Sequence, residues 1–245
     1  MLRRVKISLV IFLGTLGWSE TIGQTQDSYD YQTEFTWGFN KNTSGGLIGG
    51  LVFKKARRIN ERWMESFGLE LMNVKHPLER RTNSQITGNF FIYGKANYLY
   101  AIRLQYGRDL ILFRKASRQG VEIKSVFAIG PSIGVVAPYY VEYKVSSSSV
   151  DGATSTGQYK PGMAPNDIYG TGRLFQGLGE STIAPGVNVK AALNFELGTI
   201  KSQVTGFEAG FLLDAYTKKI ELMPEAYNYS VFPTLFITLF YGGRK

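Results

Sequence analysis

The sequence predicts an all-β fold: an eight-stranded antiparallel transmembrane β-barrel with one long extracellular loop. Three observations carry this. Apolar and polar residues alternate with period two over eight segments, no long apolar run follows the first seventeen residues, and the connections alternate between short and long. Composition narrows the chemistry further. Among 245 residues there is no cysteine and a single histidine, His76, beside 28 glycines, 14% aromatic residues and a formal net charge of +9. Without cysteine there is no disulfide framework, thiol nucleophile or lipid-modified N-terminal cysteine, and one histidine excludes a multi-histidine metal centre within one chain. No cofactor or metal is therefore expected. A hydrophobic content of 44% against 19% charged residues argues against a disordered chain.

Residues 1–23 read as a signal peptide. Arg3, Arg4 and Lys6 form a basic start, residues 7–17 an apolar stretch, and Thr21, Ile22 and Gly23 a cleavage region before Gln24. Eleven apolar residues are too few for a membrane-spanning helix, which needs about twenty. Cleavage near Gly23 removes three basic residues and Glu20, leaving residues 24–245 as an exported barrel domain with a charge of +7. The expected destination is the cell outer membrane.

The strands follow in order. Residues 33–40 place Phe35, Trp37 and Phe39 on one face, and residues 47–54 form a second strand blurred by Gly46, Gly49 and Gly50. A third spans 63–73. In 98–106, Tyr98, Tyr100, Ile102, Leu104 and Tyr106 share a face. The fifth covers 121 to about 143, where Pro131 and Pro138 predict a bend or an exit from the membrane. Residues 187–197 alternate most cleanly, with Val187, Val189, Ala191, Leu193, Phe195 and Leu197 on one side. Phe207, Ala209, Phe211, Leu213 and Ala215 define the seventh strand. The eighth shows Tyr229, Val231, Leu235, Ile237, Leu239 and Tyr241, backed by Phe232, Phe236 and Phe240. From a periplasmic N-terminus, connections two, four and six (55–61, 116–120, 199–202) are short. Connections three, five and seven (75–94, 144–184, 218–227) are longer, as outer-membrane barrels require, and only the first outer loop, 41–45, is short.

Alternation leaves open whether the apolar face lines the core of a secreted, lipocalin-like barrel or meets lipid. Charges on the polar face favour lipid outside and a wet lumen holding an ion-pair network of Arg103, Glu122, Lys124, Lys190, Glu196, Glu208 and Asp214. Aromatics near the ends of the apolar faces (Trp37, Phe39, Tyr98, Tyr106, Tyr229, Tyr241) suit headgroup girdles.

The run Tyr93-Gly94-Lys95-Ala96-Asn97-Tyr98-Leu99-Tyr100, with Leu104-Gln105-Tyr106-Gly107-Arg108 and Pro138-Tyr139-Tyr140, is similar to little-characterised envelope barrels of the Bacteroidota. Over about residues 30–245 the chain resembles the small eight-stranded outer-membrane barrels. That resemblance implies the barrel class. The C-terminus departs from the common terminal aromatic, because Phe240 and Tyr241 lie inside the final Lys245.

Catalytic signals are sparse. Gly130-Pro131-Ser132-Ile133-Gly134 matches G-x-S-x-G, but it interrupts an alternating strand instead of forming the strand-to-helix elbow that pattern needs. Its one possible base, His76, is expected in a solvated loop. Glu196, Glu208 and Asp214 on neighbouring polar faces suit acid/base chemistry, yet Lys190 and Arg103 on the same face favour structural pairing. Lys54, Lys55, Arg57, Arg58 and Arg62 are read as a basic periplasmic turn, and Lys75, Arg80 and Arg81 add charge to the third connection. Export argues against nucleic acid, so the expected partners are outer-membrane lipid, lipopolysaccharide and other outer-membrane or periplasmic proteins. The long loop starts flexibly through Gly157, then carries Tyr159, Tyr169, Leu174 and Phe175, which are expected to dock on the barrel mouth or a neighbouring protein. The functional expectation is a non-enzymatic barrel with a structural or interaction role, free-standing or as an accessory subunit of a larger outer-membrane complex. The alternatives are a lipid-modifying enzyme using Ser132, His76 or a lumenal carboxylate, and a narrow channel or small-ligand carrier.

Overall fold

The computed structural model describes residues 32–45, 49–114, 120–145, 153–173, 176–197 and 202–245. The signal-peptide assignment lies outside them. Thirteen strands occur in chain order: β1 (Thr33–Asn42), β2 (Gly50–Arg58), β3 (Trp63–Val74), β4 (Arg81–Asn83), β5 (Phe90–Ile92), β6 (Asn97–Phe113), β7 (Glu122–Pro138), β8 (Tyr140–Lys144), β9 (Thr154–Gln158), β10 (Ile168–Thr171), β11 (Thr182–Glu196), β12 (Gln203–Ile220) and β13 (Tyr229–Arg244). Eight of these close a barrel in the order β1-β13-β12-β11-β7-β6-β3-β2. Every neighbour is antiparallel, and β13 returns to β1 through pairs from Glu34–Arg244 to Asn42–Phe236. Closure gives every barrel strand a partner on both sides over most of its length, the condition for a β-structure in hydrocarbon.

The period-two pattern sets which residues face out. Along β13, Val231, Leu235, Ile237, Leu239 and Tyr241 are exposed, whereas Phe232, Thr234, Phe236, Thr238 and Phe240 are buried in the lumen. Phe35, Trp37, Phe39, Phe127, Ile129, Val187, Val189 and Phe211 extend the outer apolar surface around the barrel. An exterior this continuously apolar, over a lumen lined by charge, has hydrocarbon as its solvent; a water-soluble barrel would bury the same face. The lipocalin-like alternative therefore fails on orientation.

Several boundaries move. The second strand is Gly50–Arg58 instead of 47–54, because β1 and β3 continue to pair with it as far as Arg57 and Arg58. The fourth barrel strand runs on to Phe113, past Tyr106, where Gly107, Asp109 and Ile111 keep facing inward. Pro131 does not bend β7 out of the barrel. It is exposed on the outer face, and the β6–β7 pairing is interrupted only between Arg103–Ser132 and Tyr106–Ile129, around the residue that lacks an N–H, while the β11 side stays paired through Val187–Pro131. Gly130 supplies the room beside it, since a Cβ there would run into the Leu104 carbonyl. Pro138 does end β7, and the predicted continuation to about 143 is a separate strand, β8.

Beyond the barrel's outer end, β10, β8 and β9 form a three-stranded sheet and β4 and β5 a hairpin. Part of the stretch expected to be flexible, Thr154–Gln158, is thus the ordered strand β9.

Candidate functional site

A chain of alternating charge runs through the lumen, built from inward positions of five strands. Arg103 of β6 makes a fork to Asp214 of β12, with Nε 3.0 Å from Oδ1 and Nη2 2.5 Å from Oδ2, and its Nη1 reaches Glu70 of β3 at 3.2 Å. Glu70 accepts from Lys190 of β11 at 2.8 Å, and Lys190 also sits 2.6 Å from Glu208 of β12. Lys54 of β2 continues the chain, 3.7 Å from Glu208 and 2.6 Å from Asp109 of β6. Neutral side chains satisfy the remaining lone pairs. Ser132 donates to Asp214 at 2.9 Å, Ser66 to Asp109 at 2.9 Å, and Asn188 bridges Ser132 and Gln105. In a medium with little water, each of these buried charges needs such partners.

A second group closes the inner end. Lys124 of β7 contacts Glu34 at 2.8 Å and Glu122 at 3.0 Å, while Arg244 of β13 reaches Glu34 at 2.8 Å and also bonds Glu196. Carboxylate oxygens of Glu34, Glu122 and Glu196 lie within 4.8 Å of one another, and the two cations sit among them where an ion would otherwise neutralise the cluster. The seven lumenal residues expected from sequence are thus divided between two clusters. Glu34, Lys54, Glu70, Asp109 and Arg244 were missed. Strand parity points to Glu34 and Glu70, which alternate with Phe35 and Leu71; Lys54 ends the predicted second strand but was assigned to the turn, and Asp109 and Arg244 lie beyond the predicted strand ends.

The basic turn is not a single patch. Lys54 points into the lumen toward Asp109 and Glu208, which corrects its assignment to the turn. Lys55, Arg57 and Arg58 belong to the end of β2, with Arg57 exposed and 3.1 Å from Glu65. Arg62 alone lies in the connection, where Asn60 accepts from the backbone N–H groups of Arg62 and Trp63 at 3.0 and 2.9 Å.

The outer end is a built cap. Phe91, Tyr139, Val141, Tyr159 and Ile168 form its own buried apolar cluster, drawn from both small sheets. Ser84 donates to the Ile168 carbonyl at 2.7 Å and Thr87 to the Tyr169 carbonyl, tying hairpin to sheet. Tyr159 is fully packed within the cap, so it anchors the loop to itself. Tyr169 is half-buried, and Leu174 and Phe175 lie outside the described residues. Burial pushes the Tyr139 phenol up to about 12, and it depresses the Lys95 ammonium despite the Glu79 carboxylate 2.7 Å away.

His76 is not solvated, contrary to expectation. It is buried, stacked on Tyr229 with ring centroids 5.7 Å apart, and both ring nitrogens are engaged: Nδ1 accepts from the Leu78 N–H at 3.2 Å, so Nε2 donates to the Tyr227 carbonyl at 3.0 Å. The clasp joins the third and seventh connections, across 151 residues of chain. Ser132 is committed to Asp214 and His76 to Tyr227, so the geometry does not assemble a serine–histidine pair. The lumen is correspondingly full: a cavity beside Lys54, Ser66, Gln105 and Lys190 measures about 10 Å³, room for about one water.

No known protein-family profile matches the sequence, and no curated protein matches it. Solved structures similar in architecture are small eight-stranded outer-membrane barrels. Ail, the attachment invasion locus protein of Yersinia pestis, is 10% identical in its complex with the heparin analogue sucrose octasulfate, with a TM-score of 0.40 over 88% of this chain and 99% of that one. Neisserial surface protein A is 12% identical, with a TM-score of 0.36 over 89% and 98%.

Proposed function

We propose that the protein is a non-enzymatic outer-membrane barrel with a structural or interaction role, working as an accessory subunit of a larger outer-membrane complex. The observation that carries this is the contrast between its lumen and its outer end. Polar side chains of the lumen pair with each other and leave little space for a substrate or a stream of ions, whereas the outer connections are folded into a capped surface with its own apolar cluster. A filled barrel bearing an ordered cap suits recognition. Membrane lipid and lipopolysaccharide are its proposed partners around the wall, and other outer-membrane or periplasmic proteins at the cap or the β2–β3 turn. Export by the residue 1–23 signal and kinship with Bacteroidota envelope barrels belong to the same reading.

The test is gentle solubilisation of the membranes followed by affinity capture of the tagged chain. Co-purification of stoichiometric outer-membrane proteins is expected. A chain that fractionates to the outer membrane but migrates alone overturns the subunit role, and altered lipid profiles on deletion would favour an enzyme.

A further inference from the structure

The barrel wall opens at its outer end between β11 and β12. Their ladder begins only at Gly186–Tyr216, so residues 182–185 pair with β7 on one side and have no β12 partner on the other. The β12–β13 ladder is likewise interrupted between Ala215–Val231 and Ile220–Tyr229. Among the described residues, one side-chain hydrogen bond, from Thr217 Oγ1 to the Pro185 carbonyl at 3.2 Å, crosses this stretch of the β11–β12 seam. A cavity of about 410 Å³ occupies the space, within the roughly 300–1,000 Å³ of small-ligand sites. Buried Ala184, Tyr216 and Ile220 separate it from the lumenal charges.

The lining has a definite chemistry. Lys218 and Lys219 contribute two ammonium groups from consecutive residues at the end of β12, and among the described residues neither is in an ion pair. Lys219 instead lies 4.9 Å from the centre of the Tyr227 ring. Asn97, Gln158, Glu180, Thr182 and Glu221 complete the polar lining, with Glu180 accepting from the Tyr140 hydroxyl at 2.9 Å. The two amides are held in place, Gln158 Nε2 donating to Asn97 Oδ1 at 3.1 Å and Asn97 Nδ2 to the Glu221 carbonyl at 2.7 Å. Ammonium groups complement a phosphate, while amides, a hydroxyl and carboxylates complement sugar hydroxyls.

We infer that this seam is a binding site for a phosphorylated sugar, with the phosphate on Lys218 and Lys219 and the sugar hydroxyls on the Asn97–Gln158–Glu221 side. The inference rests on the membrane reading above only for the source of the ligand. At the outer strand ends, where headgroups meet the barrel, glycolipid phosphosugars lie against the opening; a free phosphosaccharide offers the same chemistry.

The experiment titrates the full barrel, in a detergent lacking sugar and phosphate, with deacylated bisphosphorylated diglucosamine and with its dephosphorylated form, followed by calorimetry. The phosphorylated sugar is expected to bind at least about tenfold more tightly, and the Lys218→Gln/Lys219→Gln variant to lose about tenfold or more. Lys144→Gln/Lys160→Gln, two exposed cap lysines outside the seam, is expected to bind as the native chain does. Equal binding of the two sugars, or of the native and Lys218/Lys219 variant chains, overturns the site. Nanodiscs containing lipopolysaccharide with or without its lipid phosphates identify the source: phosphate-dependent binding there assigns the glycolipid, and binding of the free sugar alone assigns a soluble ligand. Absence of binding in both arms overturns the proposal. A chain found outside the outer membrane overturns the membrane reading and leaves the titration in detergent standing.

Discussion

Lys190 offers the most direct test of how the lumen is held together. Its ammonium lies 2.8 Å from Glu70 and 2.6 Å from Glu208, so Lys190→Met removes the cation shared by two buried carboxylates while keeping the stem's volume. At an effective dielectric of about 20, each contact is worth roughly 6 kcal/mol of gross attraction, most of it offset by desolvation. What matters on removal is the carboxylate left behind. Glu70 retains Arg103, but among the described residues Glu208 keeps only Lys54 at 3.7 Å and the Asn194 amide at 3.3 Å. Breaking a buried pair in this way costs about 3–5 kcal/mol. Adding Glu208→Gln removes the orphaned charge, and the double variant should recover most of that loss. Equilibrium urea unfolding in lipid vesicles, followed by Trp37 and Trp63 fluorescence, measures both. A single variant losing under about 1 kcal/mol, or a double variant as unstable as the sum of its singles, would refute the reasoning.

Gly130→Val should prevent barrel closure, because its Cβ would meet the Leu104 carbonyl; loss of the heat-modifiable folded band on electrophoresis checks this. His76→Ala should leave the barrel intact but release the seventh connection, at a local cost of about 1–3 kcal/mol from the unpaired Tyr227 carbonyl and lost stacking. Limited proteolysis near Tyr227 reads it. The Tyr139 phenol, raised to about 12 from 10.0, favours the folded cap in its neutral form. Cap stability should therefore hold below about pH 10 and fall as pH rises toward 12. Near-ultraviolet circular dichroism of wild type and Tyr139→Phe separates that transition from general alkaline unfolding, since the variant should lack it.

The barrel was largely legible because lipid and lumen impose opposite chemistry on successive residues. Residues 187–197 show this cleanly and fall almost wholly within Thr182–Glu196. Alternation fails as a guide where the strand leaves the hydrocarbon. At the inner end of β6, outward Arg108 lies 3.0 Å from Tyr106 and close to Glu65, so polarity no longer marks the inside, and the reading stopped at Tyr106 although the strand continues to Phe113. The cap was legible only in part. The aromatic content of the long loop signalled packing, but the partners of His76 and Tyr159, Tyr227 and Tyr93, come from different connections, and local sequence does not encode contacts between them. Ser132 is the opposite case. Its motif suggested chemistry, whereas its position on β7, facing Asp214, makes it a hydrogen-bond donor of the lumen.

The pairing of β1 with β13 has a consequence for the order of events in the cell. Gln32 and Thr33 donate to the carbonyl of Lys245, and Glu34 is held by Arg244 from the last strand. Lys124 of β7 also holds Glu34, but one edge of the opening strand stays unpaired until the sixteen residues of β13 reach it. With so much sequence between the partners, assembly is expected to be slow and to depend on escorts that shield the open sheet in transit. Arg244 then acts as a late checkpoint: a chain truncated before it would carry every outward-facing strand yet lack the cation that helps secure the seam.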